Sequence, residues 1–137
     1  MGKTTLRAGS VLYHGTDSDD FTEELDSLSG PARLSSSPSV ARHFATRSGG
    51  WGGVKRVIVY CLLEDVDVFE ILHPSDLAAL ADEFGLNFCG VEDMRDSVSS
   101  SGIAGWIIPN NYPDGDDILL AATETVLEFI KTEIVEG

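Results

Sequence analysis

"VLYHGT", residues 11–16, closes a short apolar run with a histidine, a glycine and a threonine. Val11 and Tyr13 alternate with Leu12 and His14, the period of a half-buried strand, and Gly15 breaks the pattern where the strand should stop. Strand ends and the loops beyond them are where proteins meet ligands. His14 is therefore either a site group or a ring satisfied by a neighbour beside a turn, and the segments around it have to decide.

Downstream, "GPARLSSSPSVARHFA" (residues 30–45) runs from a strand into a helix. Ser37 is a good N-cap and Pro38 suits the first turn, while Val40, Ala41, Phe44 and Ala45 recur on one helical face. The acidic stretch 17–29 reads as a loop with a short helix, and "SGGWGG" (48–53) as a flexible connector. "VKRVIVYCLLE" (54–64) is the most strand-like run of the chain, and "DVDVFEI" (65–71) follows as a shorter one. "HPSDLAALADEFG" (73–85) is an amphipathic helix with its cap expected at Ser75, its end at Gly85, and Leu77, Leu80, Ala81 and Phe84 turned to the core. A weaker helix covers 91–98. The last third changes period: "GIAGWIIP", "DILLAA" and "TVLEFI" are short apolar runs separated by turn residues in "NNYPDGDD", expected as antiparallel neighbours. The pattern is that of an α+β domain with strands at both ends and helices between them.

A chain of 137 residues, 42% hydrophobic, can bury roughly two thirds of its unfolded surface in one core, so a single domain over 1–137 is expected. The 23 acidic against 9 basic residues give a formal charge of −14, which repels phosphate backbones and anionic membranes and favours small ligands or basic protein surfaces. Direct nucleic-acid binding is not expected. Cys61 and Cys89 lack metal-ligand spacing and read as two buried thiols, so neither a disulfide nor a metal site is expected. No apolar run reaches the roughly 18 residues of a membrane span and the start lacks an apolar signal region, so a soluble cytoplasmic protein is expected. "GKTT" at 2–5 copies the tail of a phosphate-binding loop without its leading glycine or preceding strand, and is set aside.

"LYHGT", then "LSSS" leading into "SVARHFA", then a late strand opening with a carboxylate, together resemble the ADP-ribosyltransferase superfamily over about residues 10–127. The resemblance implies a split β-sheet with inserted helices that binds NAD as substrate and transfers its ADP-ribose. It places His14 on the adenosine ribose and the backbone of Gly15 against the nicotinamide amide, with Thr16 beside it. A neutral imidazole can donate and accept toward a hydroxyl, and a residue without Cβ lets a ligand touch the backbone. Ser35, Ser36 or Ser37 falls near the nicotinamide ribose, with capping as a rival duty for Ser37. Phe44, or His43 if the helix is displaced by one position, supplies the aromatic wall, with core packing as the rival duty for Phe44.

The resemblance puts the catalytic carboxylate at Asp117, where the family has a glutamate; Asp116, Asn110 and Glu124 are the substitutes, in that order. Arg33 and Leu34 occupy the region where the polymerase branch has a tyrosine, which argues against chain elongation and for mono-ADP-ribosylation. The implied acceptor is a protein with a basic patch, and the implied setting a phage or bacterial effector or toxin. Two other readings stay open. One is a non-catalytic acidic module occupying a basic surface of a nucleic-acid-handling protein. The other is an RNA 2′-phosphotransferase-like enzyme, which wants a basic groove, whereas only Arg33, Arg42, Arg47, Lys55 and Arg56 cluster in the middle of the chain.

Overall fold

A computed structural model describes residues 2–16, 31–47, 55–87, 91–112 and 115–135. In chain order the elements are β1 (Gly2–Leu6), β2 (Val11–Thr16), β3 (Ala32–Leu34), α1 (Pro38–Arg47), β4 (Arg56–Leu62) and β5 (Val66–Glu70). They continue with α2 (Pro74–Phe84), α3 (Val91–Ser101), β6 (Gly105–Tyr112), β7 (Gly115–Leu120), α4 (Thr123–Val126) and β8 (Leu127–Ile134). The expected α+β architecture, a split sheet with inserted helices, is what forms. Five strands pair in the order β1-β5-β6-β7-β3 and three in the order β2-β4-β8. The acidic segment 17–29, the connector 48–53 and Cys89 lie outside the described residues.

Side-chain alternation sorts the core into layers. On β7, Ile118 and Leu120 point with Leu34 and Val68 into a cluster shared with Leu12, Ile58, Tyr60 and Leu62 of the three-stranded sheet. Leu119, on the other face of β7, joins Trp106, Leu80 of α2 and Val98 of α3. The five-stranded sheet is thus buried on both sides, by the other sheet and by two helices. α2 and α3 carry the chain over from β5 to β6, the one parallel pair among the described strands, as a parallel pairing requires.

The third layer rests on a glycine. Gly15 pairs with Val57 of β4, and an ideal Cβ on Gly15 would sit 1.8 Å from the carbonyl oxygen of Ala41 in α1. No side chain fits there. The helix lies on β2 because residue 15 has none, and Val40, Ala41 and Ala45 are buried in the contact.

Three expectations need correction. β8 does not neighbour β7: it crosses to the other sheet and pairs with β4, because the helical turn α4 redirects the chain after β7. Ser75 is not the cap of α2, which begins at Pro74 with His73 in the cap position. The Asp76 carboxylate accepts from the backbone N–H groups of Leu72 and His73 at 3.1 and 3.2 Å. Cys61 is only partly buried. "GKTT" lies in β1, a strand antiparallel to β5 in which the adjacent β-branched threonines are the local signal. Gly85 ends α2 in the left-handed region at φ 69°, as expected, and the Leu77, Leu80, Ala81 and Phe84 stripe faces the core.

Candidate functional site

Among the described residues, one bridging pair joins the backbones of β2 and the end of β3. Tyr13 of β2 and Ser35, just beyond β3, exchange backbone hydrogen bonds of 2.8 and 2.9 Å, and no second pair follows among the described residues. One residue past that junction, His14 Nδ1 lies 2.7 Å from the carbonyl oxygen of Arg33. A carbonyl only accepts, so Nδ1 carries the proton, and in a neutral ring that makes Nε2 the acceptor nitrogen. His14 therefore bridges the strands where the sheet splits, held in one tautomer by a backbone group.

Arg33 itself is the hub of the region. Its Nη2 donates to Asp117 Oδ2 at 2.6 Å and its Nε to Oδ1 at 3.3 Å, a two-point pairing, while its guanidinium carbon stands 4.9 Å from the centre of the Phe44 ring. β3 and β7 are antiparallel with Leu34 opposite Ile118, which sets Arg33 and Asp117 diagonally across the same face. The side chain of Asp117 is 7% exposed and that of Arg33 48%. A carboxylate so nearly removed from water is stable only beside a cation, whereas the cation keeps half its surface in solvent.

The serines are held by the acid next to Asp117. Asp116 Oδ1 accepts from Ser35 Oγ at 2.9 Å and from the Ser36 backbone N–H at 2.9 Å, and its Oδ2 accepts from Ser36 Oγ at 2.6 Å. Ser35 Oγ accepts in turn from the Ser37 N–H at 3.1 Å, while the Ser37 carbonyl accepts from the Ala41 N–H, the first bond of α1. Asp116 thus ties the end of β3 and the entry to α1 to the start of β7. The adjacent carboxylates divide the work by strand alternation: Asp116 fastens the loop and Asp117 turns to Arg33.

Of the residues singled out in the sequence, the structure gathers His14, Phe44 and Asp117 around Arg33. Gly15 and Thr16 are buried at the end of β2, and Ser35 is buried against Asp116. His43 is exposed on α1, Glu124 is exposed on α4, and Asn110 lies in β6. Arg33 is the site group that the motifs do not single out; its one local signal is a charge between the apolar Ala32 and Leu34 of β3. No group of three or more potential metal ligands occurs among the described residues, and none of their helices is long and apolar enough to cross a membrane.

No protein-family model matches the chain, and neither does any curated protein. Among solved structures it is similar to a chain of the M. tuberculosis MbcT–MbcA toxin–antitoxin complex, with a TM-score of 0.56 over 96% of this chain and 86% of that one. At 13% identity the likeness is one of fold.

Proposed function

We propose that this protein is a single-domain mono-ADP-ribosyltransferase that binds NAD where its sheet splits and passes ADP-ribose to a protein acceptor. The observation that carries the reading is the convergence of His14, Phe44 and Asp117 on one residue at that junction. The site already accommodates a flat cation, the Arg33 guanidinium, between an aromatic face and a buried carboxylate, and the nicotinamide ring of NAD is a flat cation as well. The order of "LYHGT", "LSSS" and "DILL" supports the same reading, as does a fold shared with a chain of a toxin–antitoxin complex.

In this reading His14 positions a ribose hydroxyl through Nε2, its tautomer set by the Arg33 carbonyl. The buried Asp117 carboxylate opposes the positive charge that grows on the ribose as the bond to nicotinamide breaks and its electron pair passes to the ring nitrogen. Stabilisation of developing charge by a preorganised group in a dry site is worth the most to catalysis. The acceptor nucleophile then bonds to the ribose carbon and gives up its proton. Aspartate is one methylene shorter than glutamate, and β7 carries it next to β3. An acceptor with a basic patch fits the net charge of −14.

The test is transfer of labelled ADP-ribose from NAD to protein in a bacterial lysate. Asp117→Ala removes a group that matters chiefly in the transition state, so transfer should fall on the order of a hundredfold or more while NAD is still bound. Undiminished transfer by Asp117→Ala would remove Asp117 from the chemistry; loss in Asp116→Ala instead, in a protein that still folds, would move the role one residue back. The acidic binding module is the second reading, favoured by the ion pair that already engages Asp117. It predicts capture of a basic protein with no consumption of NAD.

A further inference from the structure

We propose that β8 is a self-complementary edge through which two copies of this chain pair, joining their three-stranded sheets into one continuous sheet. β1, β3, β2 and β8 end the two sheets. β1 and β3 are strands of 5 and 3 residues, and β2, of 6, is bridged to Ser35. β8 has 8 residues and pairs with β4 alone among the described strands, so every second N–H and C=O along it faces away from the sheet. Glu128 to Thr132 are exposed in succession, which leaves both faces of the strand open. Ile130 is 48% and Ile134 68% exposed. Open backbone groups flanked by exposed isoleucines make a template for another strand.

The residues of the edge decide which strand fits. Positions 130–134 read Ile-Lys-Thr-Glu-Ile. Laid antiparallel on a second copy with Thr132 on the twofold axis, Lys131 comes opposite Glu133 of that copy, Glu133 opposite its Lys131, and Thr132 opposite its Thr132. At the ends, Ile130 comes opposite its Ile134 and Ile134 opposite its Ile130. Opposite charges and paired threonines are favourable across strands, and a strand that meets itself in this way closes a twofold interface. The faces agree, since Lys131 and Glu133 share the side of Val59 and Val57, while Thr132 shares that of Ile58. Within one chain Lys131 Nζ already lies 2.9 Å from Glu133 Oε1, and an exposed pair of this kind rearranges at little cost. Lysine and a bulge commonly blunt an edge. Here Glu133 answers the lysine, and the bulge at Ile130 leaves 131–134 in regular register with β4. The net charge of −14 repels a second copy at long range, but salt screens that beyond about 8 Å, and the contact itself brings one lysine and one glutamate from each copy. His14 stands on β2, across β4 from β8, so the pairing leaves the junction of the sheets uncovered and holds with or without NAD.

Analytical ultracentrifugation of the full chain over about a hundredfold range of concentration tests this, because a dimer responds to mass action. The wild type should pass from monomer to dimer across that range. Lys131→Glu and Glu133→Lys each turn two attractive cross-strand pairs into two repulsive ones, so each should dimerise roughly tenfold or more weakly. Glu133→Lys also lowers the overall negative charge, so its loss of pairing would not come from general repulsion. A mixture of the two variants restores both pairs and should form a heterodimer, and the double exchange of Lys131→Glu with Glu133→Lys should dimerise like the wild type. Circular dichroism checks that each variant is folded. A wild type that stays monomeric throughout overturns the proposal and leaves β8 to a strand of a different protein. Dimers that survive both single substitutions overturn it too, since the copies would then meet elsewhere, and so does a mixture in which the two variants remain apart. If either single variant does not fold, Ile134→Ser removes the apolar pairs at both ends and should weaken dimerisation; undiminished dimerisation counts against.

Discussion

His14 and Asp117 illustrate how much of a residue's role is set by one neighbour. The Arg33 carbonyl faces one imidazole nitrogen of His14, and the Arg33 side chain pairs at two points with the buried Asp117 carboxylate. The legible part of the site was the residue types: a histidine before a glycine, a serine run before a helix, an acid before an apolar strand. Which of two adjacent acids faced the junction was not legible, because a shift of one position along a strand exchanges its faces. His14→Ala removes the hydrogen bond to Arg33 as well as the proposed ribose contact, so NAD affinity should fall by about 1–3 kcal/mol, the usual worth of a lost buried hydrogen bond. Calorimetry checks this directly, and unchanged affinity would take His14 out of the binding site.

Among the elements, β2 and α1 depend on each other through Gly15. Gly15→Ala places a methyl group against the Ala41 carbonyl, a backbone atom that cannot swing aside, so the helix has to lift from the sheet. The expected loss is about 3 kcal/mol, the upper end of overpacking costs, read as a lower urea midpoint for unfolding. The start of α2 offers a pH-dependent case. Hydrogen bonds to the Asp76 carboxylate, that from the Leu72 N–H foremost, hold its pKa below the ordinary 3.8. A depressed carboxylate pKa adds stability that is fully present above the ordinary value and is lost as pH falls through the folded one. Wild type should therefore be more stable than Asp76→Ala at neutral pH, and the gap should close as the solution is acidified below about pH 4. Thermal melts across that range check it; a gap that survives acid would show that the stabilisation does not come from the ionised carboxylate.

At the scale of the molecule, 23 acidic residues against 9 basic ones make the surface a long-range attractor for positive partners and a repeller of phosphate. Association with a basic protein acceptor should slow as salt rises through the range where the Debye length falls from about 10 Å to about 3 Å. Stopped-flow or surface capture at several ionic strengths reads this, and a salt-independent association rate would count against an electrostatic route to the partner. Duplex DNA or RNA bound near physiological salt would overturn the inference from charge as a whole.

Alternation and helical period by themselves determined most of the elements: the "VLYHGT" and "RVIVYCL" strands, the apolar face of α2 and its stop at Gly85, and the α+β class. These are local properties, written in the spacing of apolar side chains and in residues with special backbone freedom. Only the tertiary structure decided that β8 leaves its sequence neighbours for β4, that the sheet parts after Tyr13 and Ser35, and that Arg33 stands between Phe44 and Asp117. Those depend on contacts between residues far apart in the chain, such as Arg33 and Asp117, 84 positions apart. No local period encodes such pairings, and they are settled by which arrangement buries both faces of the larger sheet and leaves a buried carboxylate its cation.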